Sequence, residues 1–235
     1  MTSDERLQGL HGLIFDLDGT LYCQAPLRRK MRNRLLISVL SSPIAGIREI
    51  RIIQAFRKAQ EHLRRLEQPI QPSSQVALAA EWAKVSQASV DEVVTRWMDE
   101  APLAHLGQSI QPGLSDFLTK ASNRGLHMGV LSDYPPKRKL EALGIAHYFK
   151  FIACAQDEQV CAFKPSPKGL LALLAQMGLQ PDEALYVGDR IEVDGEAARR
   201  AGMIAAIIGI SESKVGENWF GIPSYDALWA KLAER

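Results

Sequence analysis

The chain has 235 residues, of which 46% are hydrophobic and 23% charged, and its formal net charge is +1. That length accommodates one large domain or two modest ones with a real core. The near-neutral balance excludes a global attraction to nucleic acid or an anionic membrane, and no apolar run approaches a membrane span.

The amino-terminal stretch MTSDERLQGLHG is polar and acidic, without the apolar region of a signal peptide. Cys23, Cys154 and Cys161 are odd in number and lack metal-ligand spacing, which suits a reducing compartment. A soluble cytoplasmic protein is expected. The charge is unevenly spread: Pro26–Ile70 holds 11 Lys/Arg against 3 Asp/Glu, leaving 17 basic and 24 acidic residues elsewhere.

The first element, Leu13-Ile14-Phe15, is an apolar run that ends in Asp16-Leu17-Asp18-Gly19-Thr20. Similar runs recur at 126–132, 151–154, 184–187 and 203–209, and their lack of polar alternation predicts strands buried on both faces. Helical spacing marks Leu114-Phe117-Leu118-Ala121 and Leu170-Leu171-Leu173-Leu174-Met177, with Gly125 and Gly178 as stops. Strands alternating with helices imply crossover connections and a parallel sheet.

Residues 23–108 break this alternation. Ser42-Pro43 predicts an N-cap with proline at the first helical position, and Ser89-Val90-Asp91-Glu92 a capping box. Ile47, Ile50, Ile53 and Phe56 predict an apolar stripe on a basic helix. An all-helical insert therefore interrupts an α/β domain after its first strand.

Four strand-end stretches carry candidate chemistry. Asp16 and Asp18 should emerge at the carboxyl end of the first strand, where open α/β sheets bind ligands. Carboxylates so close raise one another's pKa unless a cation offsets them; a hard divalent ion, most simply Mg²⁺, would do so and could bind a phosphate. Gly19 permits a tight turn whose neighbours, Thr20 among them, offer backbone N–H groups to an anion. DLDGT also fits a strand followed by an Asp-Gly turn. Ser132, beside Asp133, ends the second strand and could donate to a phosphate oxygen, or cap a helix. Lys164, in Phe163-Lys164-Pro165-Ser166-Pro167, supplies a positive charge for a phosphoryl group or a carboxylate, or is a solvated loop lysine. Asp189 ends a further strand, and Asp194 follows five residues later.

In this order the stretches resemble the haloacid dehalogenase superfamily, and FKPSPKGLLALLAQMGLQPDEALYVGD with DGEAARRAG resembles its phosphoglycolate phosphatase-type members. The resemblance implies a Rossmann-like α/β core over residues 1–22 and 108–235, with a helical cap over 23–107. It implies Asp16 as nucleophile and Asp18 as acid and base. Mg²⁺ would be held by the Asp16 carboxylate, the Asp18 backbone carbonyl and Asp189, with Asp194 acting through a water or on the ligands. Ser132 and Lys164 would hold the phosphoryl oxygens, beside Gly19 and Thr20. Asp133 stands where relatives carry Asn, and its acid is expected to face away from the phosphate. The substrate would be a small phosphorylated metabolite, phosphoglycolate-like or a sugar phosphate, and the protein a monomer or homodimer. An acid at Asp18 favours a phosphatase over a dehalogenase, which has no ester leaving group to protonate. A phosphomutase keeps both acids and is the alternative; a non-catalytic binding protein on this fold would be expected to lack one of them.

For the basic residues Arg28, Arg29, Lys30, Arg32 and Arg34 a solvated helix face is the expectation, with a substrate-anion contact or a nucleic-acid surface as alternatives. Without interleaved aromatic residues, no nucleic-acid partner is expected. Trp82 and Trp97 are expected in the core of the insert.

Overall fold

The computed structural model describes residues 7, 9–66, 71 and 73–233. The polar amino-terminal stretch and the end of the basic segment lie largely outside them. The chain divides into two compact units, one running to Cys23 and resuming at Ile110, the other spanning Gln24–Ser109. The helices are α1 (Gln24–Ser41), α2 (Pro43–Leu66), α3 (Ser74–Ala83), α4 (Gln87–Val94), α5 (Leu103–Leu106), α6 (Leu114–Asn123), α7 (Lys137–Ala142), α8 (Lys168–Met177), α9 (Glu196–Ala201) and α10 (Tyr225–Ala233). The strands are β1 (Gly12–Phe15), β2 (His127–Ser132), β3 (Phe151–Cys154), β4 (Ala184–Gly188), β5 (Ile204–Ile208) and β6 (Trp219–Ile222). No described helix is long and apolar enough to cross a membrane.

The first unit is a six-stranded parallel sheet in the order β3-β2-β1-β4-β5-β6. Strand β1 is central, and successive side chains enter opposite layers. Ile14 packs with Tyr186, Ala205 and Ile207 among the buried faces of α8 and α9. Phe15 instead meets Phe117 of α6 and Phe149 edge to face, and Phe117 packs against Tyr225 at a tilt and Trp229 edge to face, both of α10. Both faces are covered, which is why the strands read as unbroken apolar runs. The strand order switches between β1 and β4, opening a crevice at their carboxyl ends.

All five expected strands are present; β6 was not foreseen, because Gly221 and the preceding loop leave no sustained apolar run. It pairs with β5 at the sheet edge.

The second unit is helical. Here α1 and α2 cross closely, since a Cβ on Gly46 would lie 2.6 Å from Val39 Cα. Two local expectations need correction. The cap of α4 is Ser86, whose extended backbone lets its hydroxyl accept from Ser89 N, so Ser89 already lies within the helix. The buried stripe of α2 runs through Ile52, Ile53, Phe56 and Ala59, whereas Ile47 is 54% exposed. Glu49 is buried on that face because Arg96 donates to it at 2.8 Å and Ser38 at 3.3 Å. Trp82 and Trp97 are half-buried; Lys58 lies over the Trp82 ring. Arg28, Arg29, Arg32 and Arg34 are exposed, whereas Lys30 is half-buried and donates to Gln108 Oε1 at 3.0 Å.

Candidate active site

Asp16 follows the last residue of β1, and its N–H donates to Val187 O at 2.8 Å, continuing the sheet ladder for one step. The chain then turns away through Leu17 and Asp18. Two ties from the rest of this unit fix the turn: Gln111 Nε2 donates to Gly19 O at 2.9 Å, and Tyr225 Oη donates to Thr20 O at 3.0 Å. Gly19 has φ +105°, and a Cβ there would lie 2.1 Å from an Asp189 carboxylate oxygen. Only glycine meets both demands. Gly188 answers a second close approach: its missing side chain makes room for Asp194, whose Cβ would be 2.3 Å from an added one.

These approaches gather Asp16, Asp189 and Asp194, which offer carboxylate oxygens within 4.8 Å of one another. Lys164, on the loop before α8, enters from the same side. Its ammonium donates to Asp16, to Asp194 at 2.7 Å and to the Tyr186 hydroxyl at 3.1 Å. Asp194 is almost wholly buried and saturated. One oxygen accepts from Lys164 and from Tyr186 at 3.0 Å; the other accepts from the backbone N–H groups of Asp189 and Arg190 at 3.2 and 3.1 Å. Four donors fill the sites a carboxylate offers. Asp194 thus holds the loop that presents Asp189.

The electrostatics follow from the burial. Burial pushes the Asp16 carboxyl well above its usual range, with Asp194 and Asp189 adding to the rise and Lys164 opposing it. Asp189 rises to about 6, through burial and the charge of Asp194. Lys164 is also raised: burial works against its charge, but Asp16 and Asp194 outweigh burial, and Asp133 contributes in the same direction. One ammonium among three carboxylates leaves negative charge uncompensated. An all-oxygen, net-negative donor set fits a hard divalent cation.

Asp18 lies apart from this cluster. Lys139 of α7 donates to both its oxygens, at 2.7 and 3.1 Å, and Tyr22 Oη donates to one of them. Burial raises the Asp18 carboxyl, but Lys139 and Tyr22 more than reverse this and hold it below its ordinary value. The two acids of DLDGT, two positions apart in sequence, therefore occupy opposite electrostatic settings.

Thr20 is fully buried and its hydroxyl donates to Asp16 at 3.1 Å, an orienting contact not foreseen from the sequence. Ser132 is buried at the end of β2 and accepts from Tyr134 N at 3.3 Å. Asp133 follows it, half-buried, with its charge felt at Lys164. The sequence reading also missed Lys139, Tyr22, Tyr186 and Gln111. For Lys139 the available signal was the helix opened by Pro135-Pro136, directly after the strand that ends in Ser132.

A family model described as haloacid dehalogenase-like hydrolase matches residues 10–202. A phosphoglycolate phosphatase of Salmonella choleraesuis (strain SC-B67) is 30% identical over 221 residues, covering 84% of this chain and 81% of that protein. A glyceraldehyde 3-phosphate phosphatase of Methanopyrus kandleri is 27% identical over 202 residues, covering 85% and 84%. Among solved structures, a β-phosphoglucomutase from Clostridium difficile superposes with a TM-score of 0.63 at 18% identity, covering 96% of this chain and 98% of that one. With strand-end acids on neighbouring strands, a lysine between them and a match across most of its length, the chain belongs to the haloacid dehalogenase-like hydrolases.

Proposed function

We propose that the protein is a Mg²⁺-dependent phosphatase that hydrolyses a small phosphorylated metabolite through an aspartyl-phosphate on Asp16. The observation that carries this reading is the contrast between the two acids of DLDGT: Asp16 lies in a carboxylate cluster against Lys164, and Asp18 is held outside it.

Asp16 attacks phosphorus in line, and the bond from phosphorus to the ester oxygen breaks as the new bond to the carboxylate forms. The departing oxygen takes a proton from Asp18, which serves as general acid once protonated. Asp18 then removes a proton from the water that attacks the aspartyl-phosphate, releasing inorganic phosphate and restoring Asp16. Lys164 offsets charge on the phosphoryl oxygens, and Ser132 donates to one of them. Asp16, Asp189 and the Asp18 carbonyl would hold Mg²⁺. Bound there, the ion would offset the acids' repulsion of an anionic ester. Asp194 keeps Lys164 and the Asp189 backbone in place. The helical unit, residues 24–109, serves as the cap that selects the non-phosphate part of the substrate.

Among substrates, short phosphorylated acids and aldehydes fit the names of the two phosphatase relatives. A screen of phosphorylated metabolites, read by released phosphate, tests the reading. Mg²⁺-dependent release that Asp16→Asn abolishes is expected; retained turnover in that variant would overturn it. Conversion of a sugar phosphate to its isomer, without free phosphate, would show a phosphomutase instead.

A further inference from the structure

We infer that Lys139 is a positioning residue for Asp18: its ammonium fixes the side chain in the orientation from which, once protonated, it passes its proton to the leaving oxygen. This rests on the phosphatase reading above and adds a residue to it.

Asp18 sits on a turn rather than in a strand, so the backbone does little to hold its side chain. Its carboxylate is instead gripped from two directions. Lys139 approaches from the first turn of α7 and contacts both oxygens, at 2.7 and 3.1 Å, which fixes the plane of the group as well as its position. Tyr22, four residues along the same turn, donates to one oxygen. The Tyr22 backbone is tied by bridges to Asp18 and Ile110, so its hydroxyl is presented from a held segment.

The pair is shielded enough to matter. The Lys139 side chain is 13% exposed and that of Asp18 25%, so solvent screens the pair less than it screens a fully exposed one. Lys139 is also the donor that reaches Asp18 from outside its own turn: Lys164 is committed to Asp16, Asp194 and Tyr186. Without Lys139, Asp18 would keep the Tyr22 contact and regain rotation about its side-chain bonds. A displacement of about 1 Å at a reacting group can lower a rate on the order of 10²-fold.

Proton donation is needed when the leaving group is a poor one, and little needed when a stabilised phenolate departs. The test therefore compares kcat/KM for ethyl phosphate, phosphoglycolate and p-nitrophenyl phosphate in the full chain with Mg²⁺. In Lys139→Met, kcat/KM for both alkyl esters should fall by about 10–100-fold, part of the 10²–10⁴ a general acid contributes. The aryl ester should change less than about 3-fold. Asp18→Asn should show the same substrate pattern more strongly, and Lys139→Arg should restore most of the alkyl activity. Mg²⁺ affinity, measured by calorimetry, should be unchanged in Lys139→Met. Equal losses on all three esters, or no rescue by arginine, would reduce Lys139 to a structural contact and overturn the inference. A loss confined to phosphoglycolate would make Lys139 a ligand for the substrate carboxylate and overturn it as well. Asp16→Asn separates the two levels: if it retains turnover the phosphatase reading fails, whereas an inactive Asp16→Asn with equal Lys139 losses removes only the positioning role.

Discussion

Lys164 and Asp194 meet at 2.7 Å, with side-chain exposures of 5% and 1%, and the same ammonium contacts Asp16. A buried pair of this kind is costly to break from one side, because the remaining charge is left without a partner. Lys164→Met should destabilise the metal-free protein by about 3–5 kcal/mol in denaturant unfolding. Added Mg²⁺ should recover part of that loss, since the cation takes over the compensation of Asp16 and Asp189. A variant as stable as the parent without metal would contradict the buried network.

The Asp189 carboxyl, at about 6 against an ordinary 3.8, makes a prediction with a definite sign. Between those values the folded state binds more protons than the unfolded one, so stability present below pH 4 is lost as pH rises towards 6. Thermal midpoints of the metal-free protein should show this decline. Cation binding requires the ionised form, so Mg²⁺ affinity should weaken as pH falls through about 6. Calorimetric titrations at pH 5, 6 and 7 check it; a constant affinity across that range would not fit.

Two glycines test how tightly the acids are packed. Gly188→Ala places a Cβ 2.3 Å from that of Asp194, and such overpacking costs about 1–3 kcal/mol. Gly19→Ala adds a disfavoured backbone conformation to a clash with Asp189, so Mg²⁺ affinity should drop along with stability. Calorimetry and thermal melts distinguish the two effects.

The cap of α4 supplies a check outside the site. Ser86→Ala removes the acceptor for Ser89 N and should cost about 0.5–2 kcal/mol in unfolding of the helical unit, with phosphate release unchanged at saturating substrate. A Ser89→Ala variant should cost less, because Ser89 lies inside the helix.

Much of this architecture is legible in the linear chain. Strands β1, β4 and β5 are buried along their whole length, so each must be apolar throughout, and β2 and β3 are buried over their carboxyl-terminal parts; each is marked by an apolar run. Asp16, Asp18 and Asp189 end such runs, and the carboxyl ends of parallel strands are where an open sheet leaves room for a ligand. Helix α2 was less legible: an apolar position can face a neighbour or solvent, and periodicity alone did not distinguish Ile47, exposed, from Ile52, buried.

Sequence alone determined the strand-end acids, the parallel sheet and the helical insertion, because these rest on local periodicity and on residue types that few other roles explain. Tertiary structure decided the partners. Lys139 lies 121 positions from Asp18, within a basic run indistinguishable from a solvated one, and Lys164 lies 148 positions from Asp16. Which acid receives which ammonium depends on where the crossovers return the chain, and hence on how β1, β2 and β4 lie side by side.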